Sequence, residues 1–136
     1  MPAAVHAQAR APHMTAMAVA TAASGALQIA SGSLPANLAA TASPTVGHVW
    51  SALLVVGGIL VVVGAWMRPV DLGLRLEAAG HGGLIFGTAT YLVAAMTWMT
   101  SPWWVSPAVW WAFAVIAASL VRWWQITHVM WAVRHV

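Results

Sequence analysis

The chain has 136 residues, of which 62% are hydrophobic and 5% charged. A soluble domain is charged at about a quarter of its positions, so this composition argues against a soluble globular enzyme and for a membrane protein. It argues equally against intrinsic disorder, which needs low hydrophobicity and high charge.

The basic residues are all arginine, namely Arg10, Arg68, Arg75, Arg122 and Arg134, and the acids are Asp71 and Glu77. No stripe of cations is present to neutralise a phosphate backbone, so nucleic acid is not an expected partner. Without cysteine, disulfides, thiolate metal sites and cysteine nucleophiles are excluded.

Residues 1–47 form an arm rich in Ala, Ser, Thr and Pro, with Arg10 as its one charge. Within it, Met14 to Ile29 is mildly apolar but interrupted by Thr15, Thr21, Ser24 and Gln28. Three readings are open: a signal peptide ending near Ala20-Thr21-Ala22, a weak fourth membrane helix, or a flexible or interfacial arm.

Residues 48–136 contain three charge-free stretches long enough to cross a bilayer, which takes about 20 apolar residues. The first runs from Val49 to Met67, with Trp50 and Trp66 where interfacial aromatic belts fall. Arg68-Pro69 ends it, because the residue before proline disfavours helix. Asp71 is placed to cap the next helix, with Leu72, Leu76 and Ala79 on one face of its entry.

The second stretch runs from about Gly82 to Met99 and is closed by Thr100-Ser101-Pro102. Small residues recur along it at Ala79, Gly83 and Gly87, and Gly83 to Gly87 is a GxxxG motif. Gly57 and Gly64 of the first stretch lie in line with Trp50. Such strips let helix backbones approach closely. The partner is expected to be the first span of the same chain, with a second copy as the alternative.

Glu77 and His81 are spaced to share a helix face at the mouth of this second span, near Asp71 and Arg75. The expectation is an interfacial salt-bridge cluster; the alternative is a proton-linked pair, since ionisable groups at membrane depth are costly.

The third stretch runs from about Trp103 to Val121 and is closed by Arg122 and Trp123-Trp124. Trp104 and Trp123 would be separated by roughly 28 Å of helix, close to the hydrocarbon thickness. Beyond it, Ser119, Arg122, Gln125, His128, Ala132 and His135 recur at helical spacing, which predicts an amphipathic end at the headgroups. His81 and His128 do not complete a haem-ligand pattern, and His128 and His135 lack the spacing of a zinc helix. No catalytic residue, metal site or cofactor is expected.

Arginine placement gives orientation. The first connection carries Arg68 and Arg75 and the C-terminal end Arg122 and Arg134, whereas the second connection carries no charge. The first connection and the C-terminus are therefore expected in the cytoplasm. A fourth span at Met14 to Ile29 would bring Arg10 to the same side.

Leu76-Glu77-Ala78-Ala79-Gly80-His81 leading into an apolar span, and Ser119-Leu120-Val121-Arg122-Trp123-Trp124-Gln125-Ile126 closing the last one, resemble the small multi-pass membrane proteins of actinobacteriophages. The resemblance covers about Val49 to the C-terminus, and the topology is similar to that of three-span phage holins, which usually end in a more strongly charged tail. It carries over no functional residue.

The expected fold is all-α: an integral membrane bundle of three transmembrane helices, or four, with an Ala-rich N-terminal arm. The expected function is non-enzymatic and holin-like, by self-association of the second span in the inner membrane of a bacterial host. His81, Glu77, Thr88 and Thr90 would be its polar lining, and the bilayer and further copies its partners. The alternatives are a membrane subunit or interaction protein, acting in superinfection exclusion or with the virion, and a redox or haem anchor.

Overall fold

In a computed structural model the chain is all-α, and the structure describes residues 12–99 and 102–134. The elements are α1 (Pro12–Ser31), α2 (Ala36–Thr41), α3 (Pro44–Trp66), α4 (Val70–Trp98), a 3-10 turn (Trp103–Val105) and α5 (Pro107–Arg134). Arg10, Thr100, Ser101 and His135, which figured in the sequence reading, lie outside the described residues.

Local chemistry explains the boundaries. Gly32, at φ +64°, follows the last residue of α1 and takes up the left-handed backbone that ends many helices. Ser43 caps α3: its hydroxyl accepts from the Val46 amide at 3.4 Å, and Pro44 follows at the first helical position. α3 stops at Trp66, with Met67 extended ahead of Arg68-Pro69. The Trp110 indole donates to the Trp104 carbonyl at 2.9 Å and ties the 3-10 turn to the start of α5.

The long helices pack α1 on α3, α3 on α4, and α4 on α5, with short α2 laid against α3 and α4. Three clusters fill the seams. Leu38, Trp50, Leu54 and Ala94 join α2, α3 and α4. Ala18, Val61 and Leu84 join α1, α3 and α4. Leu92, Ala95, Val109 and Ala112 join α4 and α5.

Among the described residues, α1, α3 and α5 are the three helices long and apolar enough to cross a membrane. α3 and α5 contain most of the first and third stretches that the sequence singles out, whereas α1 stands in place of the second. The interrupted segment in the N-terminal arm is a continuous helix packed along α3, which corresponds to the fourth-helix alternative. α4 has ample length, but Asp71, Arg75, Glu77 and His81 fall within its first twelve residues, and its long uncharged part begins only after them. It lies between α3 and α5.

The polarity of the bundle is inverted. Val56, Ile59, Phe86, Val93, Trp111 and Leu120 are exposed, while Ser51, Glu77, His81, Ser119 and Arg122 are buried.

Candidate functional site

Glycines draw α3 and α4 together, in a register finer than the sequence strip implied. Gly64 lies opposite Gly73, Gly57 opposite Gly80, and Trp50 opposite Gly87, so each step advances one heptad on both antiparallel helices. A methyl group on Gly80 would sit 2.6 Å from the Val61 amide nitrogen and 2.7 Å from the Gly57 carbonyl. One on Gly64 would sit 2.5 Å from the Glu77 nitrogen. The Trp50 indole closes the series, donating to the Gly87 carbonyl at 2.7 Å and stacking on Tyr91.

Of the sequence-derived packing residues, Gly57, Gly64, Gly83 and Gly87 all face this seam, but Ala79 is exposed and takes no part. Gly83 is the looser contact, since a methyl there would reach only ordinary distance, 3.4 Å, from the Gly57 Cα. Gly73 and Gly80 are the tight positions that the Ala79, Gly83, Gly87 strip missed. Their signal was the seven-residue spacing of Gly73, Gly80 and Gly87, which matches that of Gly57 and Gly64. GxxxG is thus spent on an intramolecular contact.

α1 docks on the next face of α3 by the same means. A methyl on Gly58 would meet the Ala18 carbonyl at 2.5 Å, and one on Gly25 the Ser51 carbonyl at 2.8 Å. The buried Ser51 hydroxyl donates to Gln28 Oε1 at 3.2 Å across this seam.

The second feature is a polar cluster between α4 and α5. Arg122 Nε donates to Glu77 Oε1 at 2.8 Å, and both side chains are buried. His81 lies one turn along α4, its Nε2 3.9 Å from the same carboxylate oxygen. Ser119 lies one turn along α5. His81 and Ser119 are fully enclosed, at 0% exposure.

The residues expected together at a wet interface therefore divide. Asp71 and Arg75 are exposed and form a local ion pair at 3.1 Å. Asp71 caps nothing with its side chain; it stands in the first turn of α4, where a negative charge suits the helix dipole. Glu77, His81 and Arg122 are instead withdrawn into the helix interface. The polar face of α5 divides too: Ser119 and Arg122 turn inward with Ile126, whereas Gln125 and His128 are exposed. His128 packs on Trp124, ring centroids 4.2 Å apart, and its Nδ1 lies 3.2 Å from the Trp124 carbonyl. His81 and His128 thus occupy different environments.

Of the expected polar lining on α4, Thr90 spends its hydroxyl on the Phe86 carbonyl at 2.9 Å, and Thr88 is half-buried. Away from the cluster, Val105, Pro107, Trp110, Trp111 and Ala114 line an open apolar groove at the start of α5. Among the described residues, no three histidines or acids gather as metal ligands.

Chemically, the cluster offers a mutually neutralised ion pair, an imidazole and a hydroxyl, all at one seam. That set can hold two helices in register or retain a small polar molecule. No family model, curated protein or solved structure matches this chain.

Proposed function

We propose that the chain is a small, non-enzymatic integral membrane protein of the phage-encoded, holin-like kind, acting by association in the inner membrane of its host. The observation that carries membrane residence is the inverted polarity of the bundle: aromatic and branched apolar side chains outward, the Glu77–Arg122 pair and its neighbours inward. In lipid that arrangement satisfies both surfaces, because apolar groups meet acyl chains and charges meet each other.

In this reading α4 crosses with the other three long helices, since it is enclosed by α3 and α5 and its charges are internal or at one end. Four spans put Arg10, Arg68, Arg75, Arg122 and Arg134 on the cytoplasmic side, in keeping with the excess of arginine there. Reporter fusions test this: cytoplasmic signals are expected near Arg75 and at the C-terminus, and an external signal at Val105. The opposite pattern overturns the orientation.

Because Gly83 and Gly87 face α3, self-association runs in this reading through outer faces. α5 is an edge helix with exposed Trp110, Trp111, Leu120, Val121, Trp123 and Trp124. Inducible expression with a membrane-potential dye is the test of holin action. Depolarisation accompanied by in-membrane crosslinking of copies supports it, and an inserted, well-expressed protein that never depolarises cells overturns it.

A second reading is a membrane subunit or interaction protein. It is favoured by the internal consumption of the glycine ridge, which leaves no close-packing motif of that type on α3 free for copies of the chain.

A further inference from the structure

His81 and Ser119 stand one turn beyond the Glu77–Arg122 pair, on facing helices. His81 is the fourth residue after Glu77 on α4, and Ser119 the third before Arg122 on α5. The Glu77–Arg122 contact at one end and the packing of Leu92 and Ala95 on Val109 and Ala112 further along make α4 and α5 antiparallel, so His81 and Ser119 stand one turn from the ion pair in the same direction. Both are fully enclosed, yet neither His81 ring nitrogen nor the Ser119 hydroxyl has a hydrogen-bond partner within the protein. Buried polar groups are as a rule paired, with protein or with ordered water.

The chemistry of the junction narrows the ligand. Glu77 and Arg122 neutralise each other at 2.8 Å, so their pairing leaves little net charge to draw an ion. A neutral imidazole presents one donor and one acceptor, and a serine hydroxyl can do either. Glu77 Oε1, 3.9 Å from His81 Nε2, is too distant for a direct hydrogen bond and is a further acceptor at the same place. The ligand must therefore be small, uncharged, and able to donate and accept at once. An internal water needs two to four such partners, and this junction supplies them.

We propose that His81 and Ser119 form an internal water-binding site between α4 and α5, completed by Glu77. The bound water links the imidazole to the hydroxyl and extends the ion pair into a continuous polar seam. His81 is then held as a water ligand within the helix packing.

The test uses the full chain, labelled with 15N-histidine, in lipid nanodiscs. Solid-state NMR measures polarisation transfer from water to the ring nitrogens, with an aqueous nickel chelate added to quench bulk water. The His81 resonance is assigned by its loss in His81→Phe. Transfer to His81 is expected in the wild-type protein and survives the chelate. It is lost in Ser119→Ala and kept in Ser119→Thr, with helix content unchanged by circular dichroism. Absence of transfer in the wild type overturns the site, as does quenching by the chelate or full transfer in Ser119→Ala. Where Ser119→Ala fails to fold, the wild-type measurement with the His81→Phe assignment still decides the matter, and His81→Gln supplies the assignment where His81→Phe does not fold.

Discussion

Arg122 and Glu77, 45 residues apart in sequence, meet through a 2.8 Å hydrogen bond from Nε to Oε1 inside the α4–α5 seam. Each helix alone would carry an uncompensated charge into an apolar environment. Together they present a neutral pair, and the contact fixes how far along α4 the edge helix α5 can slide. Beyond His81 and Ser119 the seam is apolar, built on Leu92, Ala95, Val109 and Ala112, and specifies register less sharply.

Removing one partner should therefore be worse than removing both. Glu77→Leu or Arg122→Met alone leaves the remaining partner as an unpaired buried charge, and breaking a buried pair costs about 3–5 kcal/mol. The double variant Glu77→Leu with Arg122→Met restores an apolar seam and should recover most of that loss. Reversible unfolding in mixed detergent micelles measures all three. A double variant no more stable than the singles would show that the pair does not act as a unit.

The glycine ridge makes a contrast between neighbours. Gly80 has backbone of α3 at 2.6 Å from any added methyl, whereas Gly82 has nothing within 4 Å. Gly80→Ala should destabilise by about 1–3 kcal/mol, the usual range for overpacking. Gly82→Ala should be neutral or slightly stabilising, because alanine is the better helix former. The same unfolding measurement separates them, and equal effects would refute the register of Gly57 on Gly80.

How much of this was legible beforehand depends on the range of the interaction. α3 and α5 are visible as long apolar runs, the first stopped by Arg68-Pro69, although α5 continues through Arg122 to Arg134. That α3 and α4 meet through small residues follows from spacing within each helix, but the tight positions Gly73 and Gly80 lay outside the Ala79, Gly83, Gly87 strip. α1 was harder to see, because Thr15, Thr21, Ser24 and Gln28 dilute its hydropathy. The structure disposes of three of these internally: the Thr21 hydroxyl donates to the Met17 carbonyl at 2.8 Å, and Gln28 accepts from Ser51 and donates to Ser24. The burial of Glu77 was invisible because Asp71, Arg75, Glu77 and His81 offer one another i, i+4 partners in sequence. Only the first two take that offer, and Glu77 finds its cation on another helix.

Trp50 supplies a hydrogen bond across the α3–α4 seam that no other residue type in the ridge can make. Trp50→Phe keeps an aromatic ring against Tyr91 but removes the 2.7 Å bond to the Gly87 carbonyl. The expected loss is about 1 kcal/mol for the hydrogen bond, with a further increment for the smaller ring in a buried site. Unfolding of Trp50→Phe against wild type checks this. Unchanged stability would mean that the indole nitrogen contributes nothing to the seam.

The attachment of α1 rests on Gly58, where an added methyl would lie 2.5 Å from the Ala18 carbonyl. Gly58→Leu should wedge α1 away from α3 while leaving the α3–α4 seam intact, since Gly57, Gly64 and Trp50 serve that seam. The chain has no native cysteine, so a reporter pair can be read without background. Cysteines placed at Gln28 and Ser51, which are in contact across the α1–α3 seam, should be joined by a short bis-maleimide in membranes of the otherwise wild-type protein. With Gly58→Leu added, that crosslink should fall sharply while helix content and membrane insertion persist. Small-residue contacts between membrane helices carry roughly 1–2 kcal/mol, enough to shift a marginally held helix from docked to free. A crosslink of undiminished yield would show that α1 is held by something other than the close approach at Gly58.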